Sequence, residues 1–154
     1  MTGTKCMVNV RCMIRCDHTE VLNIEASSFD EPWQEEDLLH CLQQRNTIGF
    51  VAEYGEKVVG FEVHEMHKKR LHLINFAVHP AYRRMDVGGQ MVRKLVSKLH
   101  FSKRYLLTLD VRETNLPAQL FFKAQKFDAV RVMRGHFEDT GEDAYRMVYR
   151  LSGD

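Results

Sequence analysis

A buried strand, a glycine-containing turn, an amphipathic helix and a second strand follow one another in the middle of this chain. This order restricts the possible folds more than any other feature. The run LHLINFAVHP at 71–80 carries apolar residues on both strand faces, which is typical of a central, covered strand. Apolar residues then recur at helical spacing over 87–99, and YLLTLDVR at 105–112 predicts the next strand. Because two strands joined through a helix pair in parallel, the pattern predicts a βαβ unit with a parallel pair of strands.

The segments around this unit complete a mixed α/β sheet with helices on both faces. The patterns predict a strand over 8–14, helices over 17–29 and 34–45, a hairpin over 47–66, a helix over 116–125 and final strands over 127–135 and 143–151. Asp17 and Glu20 predict a capping box at the first helix, and Arg45 lies in the last turn of the second. We therefore expect one domain over 1–154 with the order β-α-α-β-β-β-α-β-α-β-β. Residues 1–12 form its first strand or an N-terminal extension.

The charge balance and the hydropathy pattern argue against two classes of partner. Lys+Arg 22 and Asp+Glu 21 leave a net charge of +1, so no global field favours nucleic acid or a membrane surface. No apolar run approaches the roughly 18 residues that cross a bilayer. The polar, arginine-interrupted start does not resemble an export signal, so we expect a cytoplasmic protein.

Cysteines and histidines raise the question of a metal site. The four cysteines match neither a paired CxxC zinc site nor a redox dithiol, and we expect reduced thiols at Cys6, Cys12, Cys16 and Cys41, the last one half-buried in a helix. Strand patterns around a Lys-Lys-Arg turn carry three histidines, which favours solvated or half-buried rings at His64, His67 and His72. No metal site is predicted.

The turn inside the βαβ unit, HPAYRRMDVGGQM, has the composition of an anion-binding loop. Gly88 and Gly89 allow backbone amides to approach a ligand, and the helix start adds partial positive charge. Arg83 and Arg84 supply donors suited to phosphate oxygens. Asp86 places a negative charge in the same loop. The alternative is a glycine-softened helix start with solvated arginines.

Two motifs in this region resemble those of the GCN5-related N-acetyltransferases (GNAT). The coenzyme A loop of that family reads V-x-P-x-x-R-x-x-G-x-G/A, and it is matched here by Val78, Pro80, Arg83 and Gly88. The later motif, N-x-x-A-x-x-x-Y/F-x-x-x-G-F, is matched by Asn115, Ala118, Phe122 and Phe127. Within the family, SSFDEPWQEEDL, INFAVHP, LDVRETN and EDAYRM are most similar to segments of the bacterial ribosomal-protein N-terminal-alanine acetyltransferases. The similarity spans residues 13 to 151.

The resemblance implies acetyl transfer from acetyl-CoA to an amine. It also implies that the parallel strands at 70–79 and 104–112 splay apart at their C-terminal ends, with a bulge in the first. Amides near Phe76 to Val78 would then hold the pantetheine and polarise the thioester carbonyl. The implied coenzyme-binding residues, with the pyrophosphate on amides of about 84 to 89, are Ala77, Val78, Arg83, Arg84, Met85, Asp86, Val87, Gly88, Gly89, Gln90, Asn115, Ala118 and Phe122.

Several positions depart from the family pattern. Glycine is usual where Asp86 and Lys126 stand, and the Asp86 charge is expected to weaken coenzyme affinity, partly offset by the neighbouring arginines. A tyrosine that protonates the leaving thiolate is usual where Phe122 stands, and phenylalanine cannot donate a proton. Asp110 occupies the position of the family's glutamate, so it is the candidate general base. The implied catalytic set also includes Phe76, through its backbone amide, and Phe122, at the position of the usual acid. The alternative is a strand aspartate that pairs with Arg112 or solvent.

The implied acceptor is the N-terminal amine of a protein or peptide. Four residues are candidates for binding it: Phe29, Trp33, Asn75 and His136. Two alternatives stay open. One is a lysine or a small amine as acceptor. The other is a non-catalytic GNAT-fold binding module with weakened coenzyme affinity. The oligomeric state is not predicted.

Overall fold

The computed structural model describes residues 5–152 and has the predicted element order. Its elements are β1 Asn9–Cys12, α1 His18–Ser28, α2 Glu35–Leu42, β2 Thr47–Tyr54, β3 Lys57–Met66, β4 Arg70–Val78, α3 Val87–Ser102, β5 Leu106–Arg112, α4 Leu116–Ala124, β6 Asp128–Met133 and β7 Ala144–Arg150. Short 3-10 turns precede α1 and α3. The first strand therefore lies at 9–12, within residues 1–12, for which the sequence predicts either a first strand or an N-terminal extension.

All strands belong to one seven-stranded sheet with the order β1-β2-β3-β4-β5-β7-β6. The pair β4–β5 is parallel, and the other neighbours are antiparallel. The mixed sheet predicted from the βαβ unit is thus confirmed. Helices α1 and α2 pack on a cluster that includes Phe61, Val63 and Ala77, whereas α3 and α4 pack on a cluster that includes Leu73 and Leu109.

The start of α1 differs from the prediction. Asp17 precedes the helix and makes no capping hydrogen bond to it. Its buried carboxylate instead accepts from the Ile14 amide at 2.8 Å and from both terminal nitrogens of Arg11 at 2.8 and 2.9 Å. Hydrogen bonding to Arg11 lowers the pKa of Asp17. Glu20 accepts from the Val58 amide, so neither acid caps α1.

Helix α2 is shorter than its sequence pattern. It ends at Leu42, and Arg45 therefore lies beyond its last turn. The polar run after Leu42 lacks the apolar spacing that would hold a further turn against the sheet.

The parallel strands β4 and β5 separate at their C-terminal ends, as predicted. Their register begins at Arg70↔Leu106 and ends at Leu73↔Leu109, although β4 continues to Val78. At the same point β4 has one residue more than its other neighbour, because Val63 pairs with Asn75 and His64 pairs with Leu73. Ile74 is the bulged residue. The bulge and the loss of pairing open a gap between β4 and β5.

A carboxylate and an imidazole are fully buried on β3, the strand that pairs with the bulged part of β4. Glu62 and His64 are each 1% exposed, and both carboxylate oxygens lie 2.9 Å from the His64 Nδ1. The imidazole stacks on Phe50 with ring centroids 5.7 Å apart, and the Lys98 ammonium lies 4.7 Å from the same phenyl ring. Burial raises the pKa of Glu62.

The four cysteines are free thiols. Cys6 is buried, Cys12 and Cys16 are exposed, and Cys41 is half-buried in α2. Within residues 5–152, no three histidine, cysteine, aspartate or glutamate side chains are grouped as metal ligands. No helix in the same part of the chain is long and apolar enough to span a bilayer.

Candidate active site

The gap exposes backbone groups of β4. The His79 amide donates to the Val59 carbonyl, and Val78 pairs with Gly60 in the antiparallel register of β3 and β4. Since hydrogen-bonded and non-bonded pairs alternate in such a ladder, Phe76 and Val78 direct their N–H and C=O groups away from β3. These groups therefore face the gap, where an extended ligand could pair with β4 as an added strand does.

The loop at the end of β4 presents a run of backbone donors. Arg84 and Asp86 adopt left-handed backbone conformations, with φ of 64° and 63°, and α3 begins at Val87. Within the described residues, no amide from 84 to 89 donates to a protein acceptor. Aspartate tolerates the left-handed conformation that glycine usually supplies, so the loop keeps its shape. The arrangement fits a pyrophosphate, because unbonded amides at a helix start bind anions.

The Asp86 carboxylate makes no hydrogen bond to these amides and pairs with two cations instead. Its Oδ2 lies 2.6 Å from Arg93 Nη2 and 3.4 Å from Lys5 Nζ. We expected Arg83 and Arg84 to offset its charge, and this expectation is wrong. Arg93 lies on the first turns of α3, on the side to which the carboxylate points, whereas Arg83 is bonded elsewhere. Neutralisation by two cations reduces the repulsion that Asp86 exerts on a bound phosphate.

Arg83 is hydrogen-bonded within the protein, and the two glycines are closely packed against neighbouring side chains. Arg83 donates from Nε to the Val78 carbonyl at 3.0 Å and from Nη2 to Ser28 Oγ at 3.1 Å. A Cβ on Gly88 would lie 2.8 Å from the Phe121 ring, and one on Gly89 would collide with the Asp86 carboxylate. A side chain at either position would therefore force a neighbouring side chain to move, in addition to limiting access to the amides.

The N-terminal segment is fastened to the same loop. The Cys6 amide donates to the Met85 carbonyl at 2.9 Å. Gln90 accepts from the Val8 amide at 3.0 Å and donates to the Cys6 carbonyl at 2.6 Å. The Gln90 side chain thus has a structural role at this position, and it supports the loop from outside the gap.

Asp110 lies on β5 at the other side of the gap and is held by an arginine. Arg146 donates from Nε and Nη2 to its two oxygens at 2.8 and 2.9 Å. The Nε2 atoms of His72 and His136 lie 3.7 and 3.6 Å from Asp110 Oδ2. Burial acts to raise the pKa of Asp110, but the hydrogen bond and charge of Arg146 outweigh it, and the pKa lies below its ordinary value. The alternative pairing with Arg112 is wrong, because that arginine binds acids of the β6–β7 loop.

The aromatic residues of the motif near α4 meet at the gap. The Phe122 ring is 5% exposed and lies 5.3 Å from the Phe76 ring, centroid to centroid. Asn115 caps α4 by accepting from the Ala118 amide, which gives both residues a role in starting that helix. Lys126 follows α4 with φ of 72°, the left-handed conformation for which the family has glycine.

Two polar side chains at the gap, one buried and one half-buried, were given no functional role from the sequence. Glu25 of α1 is 3% exposed and accepts from Asn75 Nδ2 at 2.6 Å and from the Trp33 amide at 2.8 Å. Burial raises its pKa. The available signal was its place on the apolar face of α1, four residues after Val21. His72, beside Asp110, bonds Thr108 Oγ1 at 2.6 Å, and burial lowers its pKa.

The structure brings most of the candidate acceptor residues to this gap. Asn75 and Trp33 meet through Glu25, and His136 reaches Asp110 from the β6–β7 loop. Phe29 lies at the C-terminal end of α1 and is 36% exposed. The gap is therefore lined by a carboxylate from β5, an imidazole from β4 and a loop on each side.

Comparisons with known proteins agree with this fold and site. Residues 18–127 match the acetyltransferase (GNAT) family, and the chain belongs to that family. A Bacillus subtilis protein provisionally named [ribosomal protein bS18]-alanine N-acetyltransferase is 30% identical over 139 residues, which cover 90% of this chain and 92% of the relative. The relatives are named as N-acetyltransferases, so the protein is an acyltransferase of this type.

Two solved structures share the architecture. The ribosomal-protein-S18-alanine N-acetyltransferase from Escherichia coli superimposes with a TM-score of 0.84 at 23% identity, covering 96% of each chain. Arabidopsis thaliana NAA60 in complex with acetyl-CoA gives a TM-score of 0.80 at 16% identity, covering 96% of this chain and all of the other. At these identities the likeness concerns the fold.

Proposed function

We propose that this protein transfers the acetyl group of acetyl-CoA to the N-terminal amine of a protein or peptide. The observation that carries the proposal is the run of unbonded amides at 84–89 beside the open edge of β4. This arrangement suits a ligand with a phosphate part and an amide-containing arm. The names of the relatives support an N-terminal acceptor. The polar side chains around Asp110 support an acceptor site next to the gap.

In this proposal the residues of the chain act by holding and deprotonating the acceptor. Acetyl-CoA supplies a thioester carbonyl, which the amine attacks directly. The β4 amides facing the gap polarise that carbonyl. Asp110 is a carboxylate at neutral pH, as an aspartate with an ordinary or a lowered pKa is, and it accepts the ammonium proton directly or through water. Arg146 fixes the orientation of the carboxylate. Phe122 has no proton to give, so the departing thiolate is protonated by water.

Calorimetry with acetyl-CoA, followed by an acceptor screen, tests the proposal. Binding to the wild-type protein is expected, and acetylation should require a free peptide N-terminus. The matched controls are the same peptides with blocked N-termini, peptides whose only free amine is a lysine, and a polyamine. Acetylation of the lysine peptides or the polyamine alone would support the alternative acceptors. Failure to bind acetyl-CoA would instead support a non-catalytic module.

Substitutions at Asp86 separate its backbone role from its charge. Asp86→Gly should change the acetyl-CoA Kd by less than about threefold, because Arg93 and Lys5 already neutralise the carboxylate. Asp86→Ala should weaken binding by about fivefold or more, since a left-handed alanine costs roughly 1 kcal/mol. Calorimetry at low and high salt measures both. A gain of tenfold or more in Asp86→Gly at low salt would show that the charge does oppose the coenzyme.

Phe122→Tyr tests the missing acid. The variant should have a kcat equal to wild type or higher, because a hydroxyl at this position could protonate the leaving thiolate, and such help is typically worth about 10²–10⁴-fold. Steady-state kinetics and thermal unfolding measure the two effects separately. Phe121→Tyr, in the neighbouring ring, is the matched control. A lower kcat with intact folding would mean that Phe122 is a packing residue without room for a hydroxyl.

A further inference from the structure

A continuous chain of hydrogen bonds joins the gap between β4 and β5 to the segment between α1 and α2. This segment contains the candidate acceptor residues Phe29 and Trp33, and we call it the acceptor wall. The Phe76 amide donates to Asn75 Oδ1 at 2.9 Å, and Asn75 Nδ2 donates to Glu25 Oε1 at 2.6 Å. The second oxygen of Glu25 accepts from the Trp33 amide at 2.8 Å. Trp33 belongs to the segment between α1 and α2, so the chain runs from β4 to that segment.

The chemistry of its members fixes the direction of this chain. An amide N–H can only donate, and an ionised carboxylate can only accept. Asn75 lies between one of each, so its carbonyl must face Phe76 and its NH₂ must face Glu25. A rotation of Asn75 that releases Phe76 therefore also disturbs the bond to Glu25.

The first donor in the chain is one that the coenzyme would use. The Phe76 N–H faces the gap between β4 and β5, beyond the last paired residue, Leu73. An acyl or pantetheine carbonyl entering the gap competes with Asn75 for this N–H. Arg83 occupies the Val78 carbonyl at the same edge in a similar way.

We propose that Asn75 is a positioning residue that occupies the Phe76 amide until the coenzyme enters, and then transmits that event through Glu25 to Trp33. Coenzyme binding thereby rearranges the acceptor wall before the acceptor binds. The proposal rests on the proposed function only in assuming that acetyl-CoA enters this gap.

The single tryptophan of the chain, Trp33, reports on this event directly. Fluorescence excited at the red edge of tryptophan absorption, where adenine does not interfere, should change when coenzyme A or acetyl-CoA is added to the wild-type protein. Calorimetry on the same sample measures binding independently. Binding without a fluorescence change would overturn the inference while leaving the proposed function intact. An absence of binding would overturn both.

Two variants break the chain at different links. Asn75→Ala frees the Phe76 amide and should tighten coenzyme binding by about threefold to tenfold, the equivalent of one ordinary hydrogen bond, with loss of the Trp33 response. Glu25→Gln keeps the Asn75–Phe76 bond, so the Kd for the coenzyme should stay within about twofold of wild type. The glutamine has one acceptor oxygen for two donors, the Asn75 amide group and the Trp33 amide, so the fluorescence response of Trp33 should be lost. Asn23→Ala, on the exposed side of α1, is the matched control and should behave as wild type.

The outcomes distinguish coupling from packing. An undiminished Trp33 response in folded Asn75→Ala would mean that the coenzyme affects the indole directly. Weaker coenzyme binding in the same variant would mean that Asn75 only supports the strand. Either result overturns the inference. If Asn75→Ala does not fold, the wild-type titration and Glu25→Gln still decide it.

Discussion

Replacing Asp110 with asparagine should lower kcat/KM for a peptide acceptor at neutral pH by about tenfold or more, within the range for general bases. Asparagine has nearly the same shape, so the acceptor site keeps its form. It lacks the charge that draws a proton from the acceptor ammonium. It also loses one of the two bonds to Arg146. The measurement is steady-state kinetics with a peptide acceptor at saturating acetyl-CoA.

The pH dependence supplies a second test of Asp110. Because its pKa lies below the ordinary value, the carboxylate is charged across the neutral range, and its ionisation should not produce the acid limb of the wild-type rate profile. The contribution of the Asp110–Arg146 pair to folding is present above the ordinary aspartate pKa. It is lost as the pH falls through the lowered one. Full activity of Asp110→Asn from about pH 6 to about pH 9 would contradict its role as base.

Asp17→Asn is the matched control for this substitution. Asp17 is also a poorly exposed aspartate bound by two arginine nitrogens, and its pKa is also lowered, but it lies before α1. Loss of its charge should reduce stability without affecting the chemistry. We therefore expect kcat/KM of Asp17→Asn to stay within about twofold of wild type below the unfolding transition. A parallel loss of activity in both variants would indicate that stability is responsible.

The second large effect concerns folding. Glu62→Met should lower the free energy of unfolding by about 3–5 kcal/mol, the usual cost of breaking a buried pair. The change leaves the His64 Nδ1 without its partner at a site that is 1% exposed. His64→Phe should cost a similar amount, because it leaves the Glu62 carboxyl unpaired. Denaturant unfolding at neutral pH measures both variants.

The double variant shows whether the loss comes from an unpaired group. Combining Glu62→Met with His64→Phe removes both polar groups, and the new phenyl ring can stack on Phe50 as the imidazole does. Most of the lost stability should return, since apolar replacement of a buried pair is often neutral or stabilising. If the double variant loses as much free energy of unfolding as the two single variants together, this explanation is contradicted.

The neighbouring pair Glu65 and His67 provides the control. It has the same spacing on the chain, but its side chains are 34% and 37% exposed. Glu65→Met should change the free energy of unfolding by less than about 1 kcal/mol, as surface pairs usually do. The comparison isolates burial as the cause of the large effect.

The pattern of neighbouring residues in the sequence was sufficient to predict those parts of the site that backbone groups form. The alternation and helical spacing between 71 and 112 predicted the parallel unit, because chain connectivity restricts how a strand, a helix and a strand can pack. The left-handed residues Asp86 and Lys126 lie where the family motif has glycine, so the loop shape follows from the motif. The capping box at Asp17 failed, because Arg11 of β1 and the Ile14 amide bind the same carboxylate.

The sequence by itself determined the order of the elements, the opening between β4 and β5, the run of amides at 84–89 and the family. Each of these depends on residues close together in the chain or on a motif with fixed spacing. Only the tertiary structure decided which groups the side chains meet. Arg146 reaches Asp110 across 36 positions, Glu25 reaches Asn75 across 50, and Lys5 of the N-terminal segment reaches the Asp86 carboxylate. Such partners follow from strand register and helix packing between distant segments, and residue spacing carries no information about them.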